Sequence, residues 1–271
     1  GQCGRPLVRT NPLIFYGEPT IRGQWPWHAA IYRQENRGTS KYICGGSFIG
    51  TRSILTAAHC VTKNGRTIRD AKEFVIYLGK YDLRNRRETD VQDFDVNSVF
   101  VHPDYNATKL QADVAILVLA SSVKITEFVR PVCLWNLRDV TLQSIVQQVG
   151  VVVGWGLDEN INIGERLKMV KMPIVNQTTC LWSNPSFFSQ FTSETTFCAG
   201  YRNGSSVCNG DSGGGLVLPE EQADGSVTWM LRGIVSSSKP GDSIKEICDN
   251  QNYIIFTDAA QYLVWIRRIF I

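Results

Sequence analysis

No C-x-x-C pair occurs among the eight cysteines, at positions 3, 44, 60, 133, 180, 198, 208 and 248. That absence argues against a zinc ribbon and against a thioredoxin-type redox motif. The longest uninterrupted apolar run, Val114–Ala120, is far too short to span a bilayer. Neither sign of charge dominates: 28 Lys+Arg against 25 Asp+Glu leave +3, which gives no reason to expect a nucleic-acid or polyanion partner. Internal repeats and low-complexity linkers are missing, and helical periodicity is scarce until the end. The chain opens Gly-Gln-Cys with neither Met nor an apolar leader, so the expectation is a processed product or a trimmed piece.

What is present suits a secreted β-protein. The 271 residues are 43% hydrophobic, 10% aromatic and 20% charged, enough for a sizeable core in one large all-β domain or two small ones. An even cysteine count without metal spacing reads as four disulfides and an oxidising compartment. Three sequons agree with an extracellular location and make Asn106, Asn176 and Asn203 candidate glycosylation sites.

Short segments rich in Val, Ile, Phe and Tyr are predicted strands: 42–49, 53–57, 74–78, 93–101, 114–120, 146–153, 168–175, 228–236 and 253–257. Residues 259–271 place Ala259, Tyr262, Leu263, Ile266 and Phe270 on one apolar stripe and predict a closing helix, with Arg267 and Arg268 in its last turns. Many short strands closed by one helix suggest paired barrels or sandwiches. Residues 1–13, with Pro6 and Pro12, read as an extended arm.

Three stretches carry chemistry. Thr56-Ala57-Ala58-His59-Cys60 sets a histidine at the end of an apolar strand, and Ala112-Asp113-Val114 sets a carboxylate at the mouth of another. Gly210-Asp211-Ser212-Gly213-Gly214 sets a serine in a glycine-rich turn. A serine hydroxyl is a poor nucleophile until an imidazole takes its proton, and that imidazole needs a carboxylate to hold its tautomer. Glycines let backbone N–H groups converge on a developing oxyanion. Singly, His59 reads more readily as a core histidine, Asp113 as a strand-end cap and the glycines as a tight turn; the combination is far more specific.

With these motifs, and with Gly23-Gln24-Trp25-Pro26-Trp27, Cys44-Gly45-Gly46-Ser47, His102-Pro103-Asp104-Tyr105 and Gly154-Trp155-Gly156, the sequence resembles the trypsin/chymotrypsin family of serine endopeptidases from about Ile14 onward. The resemblance implies an all-β fold: two six-stranded antiparallel β-barrels with the active site between them and a C-terminal α-helix. It divides the chain into a tethered arm at 1–13 and a protease domain at 14–271. Barrel 1 would cover about 27–130, barrel 2 about 131–258 and the helix 259–271. It makes Ser212 the nucleophile, His59 the general base and acid and Asp113 the orienting carboxylate, with Gly210 and Ser212 as the oxyanion hole. It also implies the pairs Cys3–Cys133, Cys44–Cys60, Cys180–Cys198 and Cys208–Cys248.

The sequence departs from the family pattern at several places. Activation would free Ile14 to pair with Asp211, yet the preceding residue is Leu13 where many relatives carry Arg or Lys, and Ile14-Phe15-Tyr16-Gly17 replaces Ile-Val-Gly-Gly. Either a Leu-cleaving protease makes the cut, or the chain persists uncut. At the specificity pocket, Ser206 would give a neutral floor, with Val207, Ser236, Ser238 and Ile254 around it. That predicts a small or medium aliphatic preference rather than a tryptic one.

No metal and no cofactor are expected, because Lys80 stands where calcium-binding relatives place a carboxylate; Lys80 and Asp90 are read as bridging that loop. Arg84-Asn85-Arg86-Arg87 reads as a solvated loop or, more sharply, as a basic exosite. His28 and His102 are read as structural. The expected partners are a protein substrate and, for a regulatory protease, an inhibitor or cascade partner; the chain is expected to be a monomer away from membranes. Its closest look is to arthropod secreted proteases of haemolymph or saliva. The rival reading is a latent zymogen or a protease-fold binding protein.

Overall fold

Along Phe74–Leu78 the residues alternate, burying Phe74, Ile76 and Leu78 and leaving Val75 and Tyr77 half-buried, as a strand with one face on a core requires. The same period buries Phe94 and Val96 of Gln92–Val101, whereas Ala115–Leu119 is buried throughout and reads as an unbroken apolar run. The computed structural model describes residues 3–8, 18–35, 38–156, 164–203, 210–237 and 251–270.

Twelve strands build the frame. They are β1 (His28–Gln34), β2 (Ser40–Gly50), β3 (Ser53–Thr56), β4 (Phe74–Leu78), β5 (Gln92–Val101) and β6 (Ala115–Leu119), then β7 (Val149–Gly154), β8 (Lys168–Val175), β9 (Thr196–Ala199), β10 (Gly215–Glu221), β11 (Val227–Ser237) and β12 (Ile254–Asp258). The first six close an antiparallel barrel in the order β1-β2-β3-β6-β5-β4. The second six run β8-β7-β10-β11-β12-β9, and pairing of Ile174 with Ala199 and Val175 with Cys198 closes the ring. Closure leaves no open edge in either set. The expected all-β fold of two six-stranded barrels with a C-terminal helix is therefore present.

Several local expectations need correction. The strands β1, β9 and β10 were not predicted: Ala29-Ala30, Ala199 and Gly215 dilute their β-signal, and tertiary pairing supplies what propensity does not. Two helices lead into and run through the Cys180–Cys198 loop, Gln177–Ser183 and Pro185–Phe191, capped by Asn176 and Asn184 and begun in the second case by Pro185. The closing helix is a 3₁₀ turn over Ala259–Tyr262 followed by an α-helix over Leu263–Ile269. Phe270 lies outside the buried stripe, 40% exposed, while Tyr262 packs edge-on against His102 and ties the helix to the first barrel.

The arm is more than an extended tail. Gly4 donates to Pro131 O at 2.7 Å and accepts from Trp229 N at 2.8 Å, and Cys3 is bonded to Cys133. Gly4 has φ +66°, and a Cβ there would lie 2.4 Å from Trp229 O, so this docking requires glycine. Disulfides Cys44–Cys60 and Cys180–Cys198 are also present; Cys208 and Cys248 lie outside the described residues. Lys80 pairs with Glu88 at 3.5 Å rather than with Asp90. Glu88 also accepts the N–H groups of Tyr81 and Asp82, a convergence that pins its carboxylate inside the loop.

Candidate active site

His59 follows β3 directly, on a single helical turn at Ala58–Val61 that Cys60 staples to β2 through Cys44. Asp113 comes just before β6, in a turn where Ala112 has φ +49°. The two meet by a pair of bonds. His59 N donates to Asp113 Oδ1 at 2.9 Å, and ring Nδ1 lies 2.7 Å from Oδ2. An ionised carboxylate only accepts, so Nδ1 carries the proton and Nε2 is left as the basic nitrogen.

Asp113 is fully buried, and a buried carboxylate must be satisfied. Ser236 of β11 donates its hydroxyl to Oδ2 at 2.6 Å, and Thr257 of β12 donates to the Asp113 carbonyl at 3.1 Å. Both donors come from the second barrel, so the carboxylate of one barrel is held by the other. Burial alone would raise the Asp113 pKa, but the charge and hydrogen bond of His59, with the Ser236 bond, bring it below its ordinary value. For His59 burial works against the charged ring, yet the Asp113 charge and bond outweigh it and the pKa is raised.

The Ser212 turn is wedged between the barrels. Gly45 N of β2 donates to Ser212 O at 2.9 Å, and Gly213 N donates to Val235 O at 2.8 Å. A Cβ on Gly213, at φ +77°, would fall 2.2 Å from Thr56 Oγ1 and 2.6 Å from Gly45 O. Absence of a side chain therefore lets the turn press against the residues that lead into His59. Ser212 is half-buried beside this seam. The neighbouring Asp211 is buried and accepts Gly156 N at 2.8 Å. Gly210 has φ +99°, and its carbonyl accepts the hydroxyl of Tyr42.

Of the residues read as a specificity pocket, Ser206, Val207 and Ser238 lie outside the described residues, as do Leu13 and Ile14 of the activation site. Ser236 is buried with its hydroxyl committed to Asp113, a role that the sequence reading, which made it a pocket wall, did not anticipate. Ile254 is fully enclosed in the second-barrel cluster with Phe197, Ala199 and Phe256. Asn106, Asn176 and Asn203 are all exposed. The Asn106 amide oxygen accepts Thr108 N at 3.0 Å, and that of Asn176 caps its helix by accepting Thr179 N at 2.7 Å. Thr257 and Tyr42 were missed because an isolated threonine or tyrosine in a strand carries no motif.

Among the described residues, one group of possible metal ligands gathers, Cys44, His59 and Cys60. Its two sulfurs are joined to each other, so neither is a thiolate ligand. No helix among the described residues is long and apolar enough to cross a membrane.

Comparison with known proteins adds lineage to this geometry. Residues 14–266 match the family described as Trypsin. The chain is 33% identical to Serine protease gd of Drosophila melanogaster over 281 aligned positions, covering 92% of this chain and 51% of that protein. It is 38% identical to Clotting factor C of Tachypleus tridentatus, covering 98% of this chain and 26% of that protein. It is 34% identical to Chymotrypsin-C of Mus musculus, covering 98% of this chain and 92% of that protein. The chain thus spans about half, or about a quarter, of the length of the two arthropod relatives.

Proposed function

Because this chain belongs to the trypsin family of serine proteases, we propose that it hydrolyses peptide bonds through Ser212, His59 and Asp113. The observation that carries this reading is the doubly bonded His59–Asp113 pair, whose Nδ1–Oδ2 distance of 2.7 Å leaves Nε2 basic. Ser212 Oγ attacks the scissile carbonyl carbon while its proton passes to His59 Nε2. The carbonyl oxygen becomes an oxyanion held by the N–H groups of Gly210 and Ser212. Collapse breaks the C–N bond, and Nε2 returns the proton to the leaving amine. Water then repeats the sequence on the acyl-enzyme, giving its proton to Nε2 and releasing the acid and free Ser212. Asp113 stays ionised throughout and balances the imidazolium.

The substrate reading is a small or medium aliphatic residue before the scissile bond. Ser206 as a neutral floor removes the counter-charge an Arg or Lys side chain would need, and Ile254 stands where the family commonly has a pocket-lining glycine. Activation would follow a cut after Leu13, freeing the Ile14 ammonium for Asp211. The disulfides and sequons support a secreted glycoprotein, with Asn106, Asn176 and Asn203 as attachment sites. Likeness to Serine protease gd and to Clotting factor C supports a regulatory role on protein substrates, and the reading is of a monomer open to a protein inhibitor.

Intact mass after exposure to a fluorophosphonate probe tests the proposal. One adduct on Ser212 is expected once the Leu13–Ile14 bond is cut. An adduct that appears only after the cut identifies a zymogen. No adduct before or after cutting would replace the enzyme reading by that of a protease-fold binding protein, the alternative that the unusual Leu13 keeps in view.

A further inference from the structure

Tyr42 is buried in β2, yet its hydroxyl reaches across to the carbonyl of Gly210. A bulge puts it there: the β1–β2 register shifts between Ile31 and Tyr32, so Ile31 faces Cys44 and Tyr32 faces Tyr42, leaving Ile43 as the extra residue. Bulges of this kind re-aim side chains beside active sites. Two rings hold the phenol edge-on, Tyr32 at 5.7 Å and Trp155 at 5.4 Å between centroids. Trp155 is itself anchored by donating Nε1–H to Tyr81 O at 3.0 Å.

Gly210 needs such an anchor. At φ +99° it occupies backbone space that side-chain-bearing residues rarely enter, and glycine has the freedom to leave it. Asp211 on its C-terminal side is held through Gly156 N. On its own carbonyl the hold comes from Tyr42, whose ring edge also lies 3.5 Å from where a Gly210 Cβ would be. Burial, then the Asp211 charge, then Tyr32 push the phenol pKa well above its ordinary value, so the hydroxyl remains a donor at any working pH.

We propose that Tyr42 is a positioning residue for the oxyanion hole: its hydroxyl bond to the Gly210 carbonyl fixes the Gly210 backbone, and so keeps the Gly210 N–H in place for the developing oxyanion. The proposal rests on the reading of Ser212 and Gly210 given above. An oxyanion donor fixed before the reaction costs no reorganisation during it, so the benefit appears in the transition state rather than in substrate binding.

Tyr42→Phe keeps the ring packing and removes the donor. The cleaved wild type and Y42F are compared on a peptidyl-leucine p-nitroanilide, on a peptidyl-leucinal that forms a tetrahedral adduct with serine, on the matching peptidyl-leucine acid, and on the fluorophosphonate probe. The expected result is a kcat about tenfold lower and aldehyde binding weaker by about the same factor, with KM and product-acid affinity unchanged and Tm lowered only by the few degrees that losing one buried hydrogen bond costs. Unchanged kcat and aldehyde affinity would overturn the role of Tyr42. A parallel fall in acid affinity and kcat, with a Tm loss beyond those few degrees, would also overturn it, because it would mark Tyr42 as a general packing residue. Failure of the cleaved wild type to take the fluorophosphonate would instead overturn the reading of Ser212, and this proposal with it.

Discussion

The Ser236 hydroxyl donates to Asp113 Oδ2 at 2.6 Å, joining residues 123 positions apart in sequence and on different barrels. The bond stabilises a buried carboxylate that His59 also uses, so it couples the docking of the barrels to the tautomer of the histidine. Ser236→Ala should lower unfolding free energy by about 1.5–3 kcal/mol, the range for a hydrogen bond to a charged group. Urea denaturation checks the stability change. Fluorophosphonate labelling should be slowed but not abolished, since both His59–Asp113 bonds remain.

The pH dependence follows from the raised pKa of His59. Catalysis needs the neutral ring, so kcat/KM should rise with pH through a midpoint above the ordinary histidine value of 6.5. For stability the sign is opposite: the paired, protonated ring stabilises fully below 6.5, and that contribution is lost as pH rises through the folded value. Asp113→Asn should remove the elevated acid limb and most of the activity, both visible in a kcat/KM profile.

His28 gives an acid-side prediction that does not involve catalysis. Burial lowers its pKa from 6.5 to about 3, and Nε2 has no hydrogen-bond partner among the described residues. The unfolded chain therefore binds a proton that the folded chain refuses between these values. Its penalty is absent above 6.5 and grows as pH falls, by about 1.4 kcal/mol per unit. Between pH about 6.5 and about 4.5, His28→Gln should lose less stability than wild type by about 2–3 kcal/mol, measured as the difference in urea midpoints.

Glu88 gathers Lys80, Arg22 and the N–H groups of Tyr81 and Asp82 around one buried carboxylate. Glu88→Ala would leave the nearly buried Lys80 ammonium without its carboxylate and should cost about 3–5 kcal/mol. Thermal unfolding measures it. Because an ammonium already sits in the loop, EDTA should leave the wild-type Tm unchanged.

The arm supplies an electrophoretic test. A cut after Leu13 should leave the Gly1–Leu13 peptide attached through Cys3–Cys133, and the short piece should separate only on reduction. Release without reductant would contradict the pairing at the cut stage.

Local residue chemistry determined a good deal by itself. Phe74–Leu78 and Lys168–Val175 are strands at their predicted bounds because alternation and β-branching act over a few residues. His59, Asp113 and the glycines around Ser212 were legible because the proposed chemistry demands those residue types and because Gly213 must press against Gly45 and Thr56. Tertiary structure decided what depends on through-space closure. Ala29-Ala30 became strand by pairing with β2 and β4, and the Ser236 hydroxyl became a donor to the Asp113 carboxylate. Lys80 chose Glu88 over Asp90 because Glu88 is held by backbone donors, and Tyr42 reached Gly210 because a bulge turned it there. Each of these depends on which groups lie within about 3 Å in the folded chain, a distance set by strand register and barrel docking rather than by neighbours in sequence.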